Sequence, residues 1–139
     1  MENSPGPYSY EHGILWEIYD ARKKIKDWAS PKLKDSVWKN VVLRKAPEGE
    51  LVAHSASTDK VTERIQPVSI EKVSEGKYKV DFGVEISGWV KLKNVRGPAG
   101  HKIDIAFNGN LYSGENSYIL SGQGRETYTP RLIGLYSVA

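Results

Sequence analysis

Cysteine is absent from the 139-residue sequence, which excludes disulfide bonds, thiol catalysis and thiolate metal sites. No run of about 18 apolar residues occurs, so the sequence predicts no transmembrane helix. The amino terminus has neither a basic start nor an apolar stretch, and we expect no signal peptide in this chain. These absences leave the cellular compartment undetermined.

An excess of one charge sign is also lacking, because 20 lysines and arginines stand against 17 acidic residues. A net charge of +3 does not by itself indicate a charged partner. Basic residues are dense between Arg22 and Lys39, but Asp27 and Asp35 interrupt them and no nucleic-acid-binding motif accompanies them. We interpret this segment as solvated surface, and expect neither nucleic acid nor a membrane as a partner.

Short alternating runs are the main feature of the second half of the sequence. Every second residue is apolar in residues 78–82, 90–92 and 103–107, the periodicity of strands with one face on a core. Gly/Pro turns separate the runs, among them the tetrapeptide Gly97-Pro98-Ala99-Gly100. Short strands are also predicted at residues 41–43 and 51–53, an Asn-Gly hairpin signal at residues 108–110 and a loop at residues 111–117. Ser30 and Pro31 suit the start of a short helical turn, and no pattern predicts a long helix. The sequence therefore predicts an all-β fold, an antiparallel β-sandwich, with these core residues: Val80, Phe82, Trp89, Leu92, Ile103, Ile105 and Phe107.

The motifs VDFG, SGWVKL and VRGPAG within residues 77–100 resemble the concanavalin-like β-sandwich domain of bacterial α-L-rhamnosidases. Residues 61–70 resemble the strand that enters that domain. Residues 118–120 (YIL) and 126–131 (ETYTPR) resemble its closing segment. The hexapeptide EIYDAR, residues 17–22, resembles a signature near the end of the rhamnosidase N-terminal domain. Residues 28–38 resemble the family's W…D-S-x-W segment. The resemblance covers most of the chain and implies a jelly-roll or concanavalin-like sandwich with a short irregular N-terminal annex.

The domain organisation follows from composition and from this resemblance. Residues 1–13 hold proline, glycine and serine without apolar periodicity, and we expect a mobile lead-in. Residues 14–139 then form a single β-sandwich body. Within it, residues 14–55 form the annex that resembles the end of the rhamnosidase N-terminal domain, and residues 61–139 the concanavalin-like sandwich. The best internal boundary is the polar loop of residues 54–60.

The sequence departs from the family pattern in two places. Asn94 is one residue more than the family's usual spacing, and an added residue predicts a bulge in that strand. After Arg131 the family continues into an (α/α)6 barrel that carries its catalytic carboxylates, whereas this sequence ends at Ala139. The resemblance therefore implies a chain without the catalytic domain, and we expect no enzyme activity and no catalytic residue in it.

Two pairs of residues are candidates for carbohydrate binding. Asp20 and Arg22 either face a sugar or satisfy each other at a domain junction. Trp28 and Trp38 either clamp the annex onto the sandwich or offer an aromatic face to the apolar side of a pyranose ring. Both questions stay open at the level of sequence.

No residue pattern points to a metal or a cofactor. His12, His54 and His101 lie far apart, and nothing matches a zinc-ligand spacing or a nucleophile elbow. The segment Gly109-Asn110…Glu115-Asn116 offers oxygen atoms to Ca²⁺ without the EF-hand pattern. We therefore expect no cofactor, with calcium at this segment as the alternative.

Two functions follow from the sequence. The first is a non-catalytic accessory β-sandwich that braces or assists carbohydrate processing by an α-L-rhamnosidase. The second is a stand-alone carbohydrate-binding module for rhamnose-containing glycans. In either case an uncovered apolar edge predicts self-association, most simply a two-fold dimer, unless the C-terminus folds back and seals the sandwich. Its candidate residues are Leu132, Ile133, Leu135, Tyr136 and Val138, followed by Trp16 and Ile18.

Overall fold

The computed structural model describes residues 6–11, 16–33, 42–107, 115–131 and 134–136. The chain divides into two compact units, one made of residues 1–25 and 63–139 and the other of residues 26–62. The residues of the predicted annex, 14–55, thus fall partly in the first unit and partly in the second.

Ten strands and one turn of 3-10 helix make up the regular structure of the described residues. The strands are β1 (Tyr8–Glu11), β2 (Trp16–Asp20), β3 (Ser69–Ser74), β4 (Lys77–Asp81), β5 (Ile86–Gly88), β6 (Leu92–Val95), β7 (Lys102–Ala106), β8 (Glu115–Ile119), β9 (Glu126–Tyr128) and β10 (Gly134–Tyr136), and the 3-10 turn is Ala21–Lys23. The predicted all-β class is confirmed. Within the described residues, no helix has the length and the apolar content needed to cross a membrane.

The largest sheet has four strands in the order β1-β2-β8-β7. Its outer pairs are antiparallel, but β2 and β8 run parallel, with Tyr19 opposite Tyr118. Parallel strands need a long connection between them. β2 and β8 have one, because 99 positions separate Glu17 from Asn116. The predicted antiparallel arrangement therefore holds for every strand pair described except this one.

The other strands form two-stranded antiparallel sheets: β3 with β4, β5 with β10, and β6 with β9. Gly76, with φ of 72°, lies in the turn of the β3–β4 hairpin, and Gly83, with φ of 69°, follows β4, where the alternation stops. The predicted turn at residues 97–100 is present, because the N–H of His101 donates to the carbonyl of Pro98 at 3.1 Å.

Asn94 forms the bulge that its extra position predicts. The register of β6 against β9 shifts between Leu92 and Val95, and Asn94 lies between them with a positive φ of 57°. Asparagine is among the residues that tolerate this left-handed conformation best. The extra residue is thus accommodated in the backbone, and both Leu92 and Val95 still pack against the buried cluster.

The buried cluster of the first unit consists of Ala21, Tyr118, Leu120 and Tyr128. Leu92, Ile103 and Ile105, three of the predicted core residues, are partly buried and pack against it. Val80 is 47% exposed, so its placement in the core is wrong, because β3 and β4 form a two-stranded sheet whose residues lie mostly in solvent. The remaining three predicted core residues are half-buried and lie outside the cluster: Phe82, Trp89 and Phe107.

Three local predictions are also corrected. The predicted lead-in contains β1, which is held by antiparallel pairing with β2 and by an edge-on contact of Tyr8 with Tyr19. The predicted short strands at residues 41–43 and 51–53 do not form where the chain is described, since residues 42–66 are exposed and without strand structure. Apolar runs of three residues give few ladder hydrogen bonds and cannot hold a strand by themselves. The predicted loop of residues 111–117 ends earlier, because β8 begins at Glu115.

The second unit is built from local bonds. The N–H of Ser30 donates to the carbonyl of Asp27 at 2.8 Å, and the N–H of Leu33 donates to that of Ser30 at 3.0 Å. The Ser30 hydroxyl accepts from the N–H of Lys32 at 3.2 Å. Ser30 therefore begins a turn, as its capping chemistry predicts, but no helix follows in the described residues.

Candidate functional site

Asp20 and Arg22, two of the predicted sugar-binding residues, bind each other. The Arg22 guanidinium donates to both carboxylate oxygens of Asp20, from Nε at 2.9 Å and from Nη2 at 2.8 Å. The backbone N–H of Arg22 also donates to this carboxylate, at 3.0 Å, so Asp20 caps the 3-10 turn. The hydrogen bond from the Arg22 side chain holds the pKa of Asp20 below its ordinary value, although burial acts in the opposite direction.

The Arg22 side chain is half-exposed and lies against the glycine turn. A Cβ on Gly100 would come within 3.2 Å of the Arg22 Nη1, and Gly100 itself has φ of 86°, which favours glycine. The end of β2 therefore packs against the turn between β6 and β7. This is the geometry of a structural junction, one of the two alternatives that the sequence left open, and a sugar-binding role for the pair stays a prediction.

The structure describes only one of the two predicted tryptophans. Trp28 belongs to the second unit and is 71% exposed, so it is not a core residue of the described chain. Trp38 lies outside the described residues, as do His12 and the hairpin signal of residues 108–110. The self-association candidates Leu132, Ile133 and Val138 also lie outside them, whereas the backbone of residues 134–136 pairs with β5. Self-association stays a prediction.

Sequence reasoning missed a buried carboxylate at Glu17, the first residue of the EIYDAR motif. This side chain is 0% exposed. Its Oε1 accepts from the Tyr128 hydroxyl at 2.6 Å, and its Oε2 accepts from the backbone N–H of Arg131 at 3.0 Å. The backbone N–H of Glu17 donates to the Oδ1 of buried Asn116 at 3.3 Å. A buried carboxylate is stable when hydrogen bonds satisfy it. This one connects β2 with β9 and with the segment that follows β9, while the backbone N–H of Glu17 binds β8.

Four tyrosines pack in a chain of ring contacts that includes Tyr128, the donor to Glu17. Tyr118 and Tyr128 stack with their ring centroids 4.6 Å apart, and Tyr19 lies 5.7 and 5.6 Å from them. Tyr8 meets Tyr19 edge-on at 4.7 Å, and the Arg131 guanidinium lies 3.7 Å from the centre of the Tyr8 ring. Burial raises the pKa of Tyr19. Such ring contacts and the cation–π contact add to the free energy gained by burial.

Glu126 gives the cluster a second carboxylate. It accepts from the Tyr118 hydroxyl at 2.8 Å and from the backbone N–H groups of Ser121 and Gly122, each at 3.0 Å. Burial raises the pKa of Tyr118, and the hydrogen bond to Glu126 raises it further. For Glu126 burial acts upward, but the hydrogen bonds that it accepts hold its pKa below the ordinary value. The phenol is therefore the donor and the carboxylate the charged acceptor.

Glycines allow the backbone to close around Leu120, which is completely buried. A Cβ on Gly97 would lie 2.8 Å from the Leu120 Cδ1, and the N–H of Gly100 donates to the Leu120 carbonyl at 2.9 Å. A Cβ on Gly122 would lie 2.7 Å from the backbone nitrogen of Ala99. The GPAG motif is thus required by close packing against the residues that follow β8.

Internal contacts therefore bind the charged residues of EIYDAR (residues 17–22) and both Glu126 and Tyr128 of ETYTPR (residues 126–131). Hydrolysis of a glycoside needs two carboxyl groups that flank the bond, and the carboxylates of Glu17, Asp20 and Glu126 are each bound by internal donors. Among the described residues, no group of three or more His, Asp or Glu is placed to hold a metal ion. In the alternative calcium segment, the Asn116 side chain already accepts the Glu17 N–H. The sequence contained a signal for this cluster, because both motifs are recognisable in it. It did not show which residue each polar side chain binds.

Comparison with known proteins agrees with this architecture. A family model described as the α-L-rhamnosidase N-terminal domain matches residues 6–63, and one described as the bacterial α-L-rhamnosidase concanavalin-like domain matches residues 71–133. The α-L-rhamnosidase of Formosa agariphila is 31% identical over 94% of this chain, and that of Streptomyces avermitilis is 29% identical over 91%. The chain spans 15% and 14% of the lengths of these two relatives.

A solved structure of the α-L-rhamnosidase from Dictyoglumus thermophilum is similar in fold. It matches with a TM-score of 0.78 and 28% sequence identity over 94% of this chain and 16% of its own. The resemblance seen in the sequence motifs and the concanavalin-like β-sandwich class that it implied are thereby confirmed. The two family models meet between residues 63 and 71, yet β2 from the first pairs with β8 from the second.

Proposed function

The chain belongs to the α-L-rhamnosidase family, and from this premise we propose that it is a non-catalytic accessory β-domain that braces carbohydrate processing by such an enzyme. One observation carries this proposal: the charged and phenolic groups of its signature motifs are bonded to one another. Glu17 binds Tyr128, Asp20 binds Arg22, and Glu126 binds Tyr118. Side chains that are bonded to one another in this way stabilise the fold.

The same bonds argue against catalysis by these carboxylates. A general acid or a nucleophile must reach the glycosidic bond, and a retaining or an inverting pair must enclose it. Glu17 has no exposed surface, and Asp20 and Glu126 already accept several donors each. Using any of them on a substrate would first break hydrogen bonds that are made inside the fold.

An activity assay tests the absence of catalysis. The purified chain is incubated with an aryl α-L-rhamnoside, and release of the aryl alcohol is followed against a buffer blank. We expect no turnover above the blank. Turnover that persists after separation from host enzymes, and disappears when one of the chain's own carboxylates is changed to its amide, would refute the proposal.

A second function is favoured by one observation, the exposure of Trp28. An accessible indole offers a flat apolar face to the C–H side of a pyranose ring, as in a carbohydrate-binding module for rhamnose-containing glycans. The other candidates, Asp20 and Arg22, lie in the first unit, where the Arg22 side chain is half-exposed. The exposed ring is equally suited to packing against another protein domain, so only a binding measurement separates the two functions.

Binding is measured on an array of rhamnose-containing oligosaccharides, with and without added calcium. The accessory function predicts no glycan retained above background in either condition. The binding module predicts retention that is lost in Trp28→Ala and kept in Leu51→Ala, a matched loss of an exposed apolar side chain in the same unit. Retention that appears only with calcium would also establish the calcium alternative.

A further inference from the structure

The first unit is assembled from two pieces of chain that are distant in sequence. Residues 1–25 and 63–139 form it together, and residues 26–62 lie between them as the second unit. β1 and β2 come from the first piece, and β8, which receives β2, comes from the second. The sheet therefore depends on how well a short N-terminal segment binds to the edge of β8.

The segment binds through backbone and side chains at once. The parallel ladder pairs residues 18–20 with residues 117–119. Glu17 supplies a completely buried carboxylate that accepts from Tyr128 and from the Arg131 N–H. The Tyr19 ring packs on the rings of Tyr118 and Tyr128, which belong to the second piece. The Arg131 guanidinium lies over the Tyr8 ring. Main-chain pairing with a strand edge supplies affinity, and buried side chains between the strands supply specificity, as in peptide recognition by strand addition.

Residues 42–66, the described stretch that leads from the first piece towards the second, contribute little to this attachment. Residues 42–66 are exposed at every position and contain neither helix nor strand. Their side-chain bonds are local: the Lys45 ammonium donates to Glu48 at 2.7 Å, and the His54 ring nitrogen Nδ1 lies 2.8 Å from the Ala56 carbonyl oxygen. A covalent link of this kind raises the effective concentration of the segment without setting its geometry.

We propose that the edge of β8, together with Asn116, Tyr128 and Arg131, is a strand-binding site whose ligand is the chain's own N-terminal segment, through β1 and β2. The interactions of Glu17 and Tyr19 hold that ligand in place, and the peptide connection through residues 42–66 is dispensable for it. This inference concerns how the chain is assembled and is independent of the proposed accessory function.

The test is to cut the connection in the intact, folded chain. A recognition sequence for a site-specific protease is inserted after Thr58, within the exposed stretch. A denaturing gel confirms complete cleavage, and size-exclusion chromatography at micromolar concentration follows the two fragments under native conditions. We expect them to elute together with an unchanged circular dichroism spectrum. Separate elution overturns the proposal.

Variants of the cut chain test the named contacts. Glu17→Gln keeps the size of the side chain but removes the charge that two donors bind, and we expect the dissociation constant between the fragments to rise by about tenfold or more. Glu48→Gln changes an exposed carboxylate of the connection and is the matched control, with no expected change. Tyr128→Phe removes one of the two donors from the opposite side and should weaken binding in the same direction. Equal constants for Glu17→Gln and Glu48→Gln overturn the proposal.

The source of the ligand is tested with the uncut chain. Sedimentation equilibrium across a tenfold range of concentration compares the uncut wild type with uncut Glu17→Gln. If the site takes the segment of its own chain, the two proteins have the same mass at every concentration. A dimer that Glu17→Gln abolishes would assign the site to the segment of a second copy, and the proposal of an intramolecular ligand would be wrong.

Discussion

The four-stranded sheet and the β3–β4 hairpin distribute their residues in opposite ways. In the sheet, the polar residues Glu17 and Asn116 are buried among tyrosines. In the hairpin, the apolar residues Ile70 and Val80 face each other across the strands, and Ile70 is 64% exposed. β7 of the sheet and β4 of the hairpin alternate in the same way, so the difference arises from what covers each face.

In the sheet, hydrogen-bond donors of the protein cover the buried acceptor atoms. Among the described residues, no buried side-chain nitrogen or oxygen lacks a hydrogen-bond partner. A carboxylate is stable there because phenol and backbone N–H groups replace the water that it loses. A two-stranded hairpin has no second layer of its own and leaves both faces to solvent. The comparison teaches that tertiary neighbours decide burial, and hydrophobicity alone does not.

The largest effect is expected at Leu120. Leu120→Ala removes a completely buried side chain that packs against the Gly97 turn, and should lower the free energy of unfolding by about 2–5 kcal/mol. Ile70→Ala in the hairpin is the matched control and should cost less than about 1 kcal/mol, because that side chain is largely solvated. Urea denaturation measures both. Equal losses would show that the hairpin is covered in solution.

A smaller effect is expected from removal of one hydroxyl group. Tyr128→Phe leaves Glu17 Oε1 without its phenol donor and should cost about 1.5–3 kcal/mol of unfolding free energy. Tyr78→Phe removes a hydroxyl from a hairpin tyrosine that is 59% exposed, and should change stability by no more than about 0.5 kcal/mol. The same denaturation experiment applies. If Tyr128→Phe is as mild as Tyr78→Phe, then the buried carboxylate finds another donor.

Two glycines distinguish the cost of a positive φ from the cost of close packing around a Cβ. Gly76 in the hairpin turn and Gly122 after β8 both have positive φ, of 72° and 80°. A Cβ on Gly76 would meet nothing within 4 Å, whereas one on Gly122 would lie 2.7 Å from the Ala99 nitrogen. Gly76→Ala should cost about 1 kcal/mol through its conformation, and Gly122→Ala about 1 kcal/mol more through overpacking. Thermal unfolding midpoints that are equal for the two variants would contradict the close approach.

The smallest effect is a dependence on acid. The pKa of Asp20 is lower in the folded chain than its ordinary value because of the hydrogen bond from Arg22. Its stabilisation is therefore complete above the unfolded pKa, about 3.9, and is lost as the pH falls through the lower folded value. The stability difference between the wild type and Asp20→Asn should shrink from about pH 5 to about pH 2. A constant difference over this range would show that the carboxylate keeps no such advantage. Glu75→Gln in the exposed hairpin pair with Lys72 should have little effect on stability.

Several features of the fold were predictable because they depend on local chemistry. Alternation located β4 and β7, glycine and proline located the turn of residues 97–100, and the added residue at Asn94 predicted the bulge in β6. The candidate pair of Asp20 and Arg22 was also visible, because two residues in one motif are always close. The fully buried Glu17 was not predicted, since its donors come from Tyr128 and Arg131 at the other end of the chain.

By itself, the sequence determined the all-β class, the positions of turns and the family motifs, because side-chain periodicity and backbone conformation act over a few neighbouring residues. Tertiary structure alone decided that β2 lies parallel to β8, that Val80 is exposed, and that a glutamate is buried. Each of these depends on which distant strand covers a face and which donor reaches an acceptor. Such long-range pairing has no local signature, so the same alternating pattern produces a buried sheet in one region and a solvated hairpin in another.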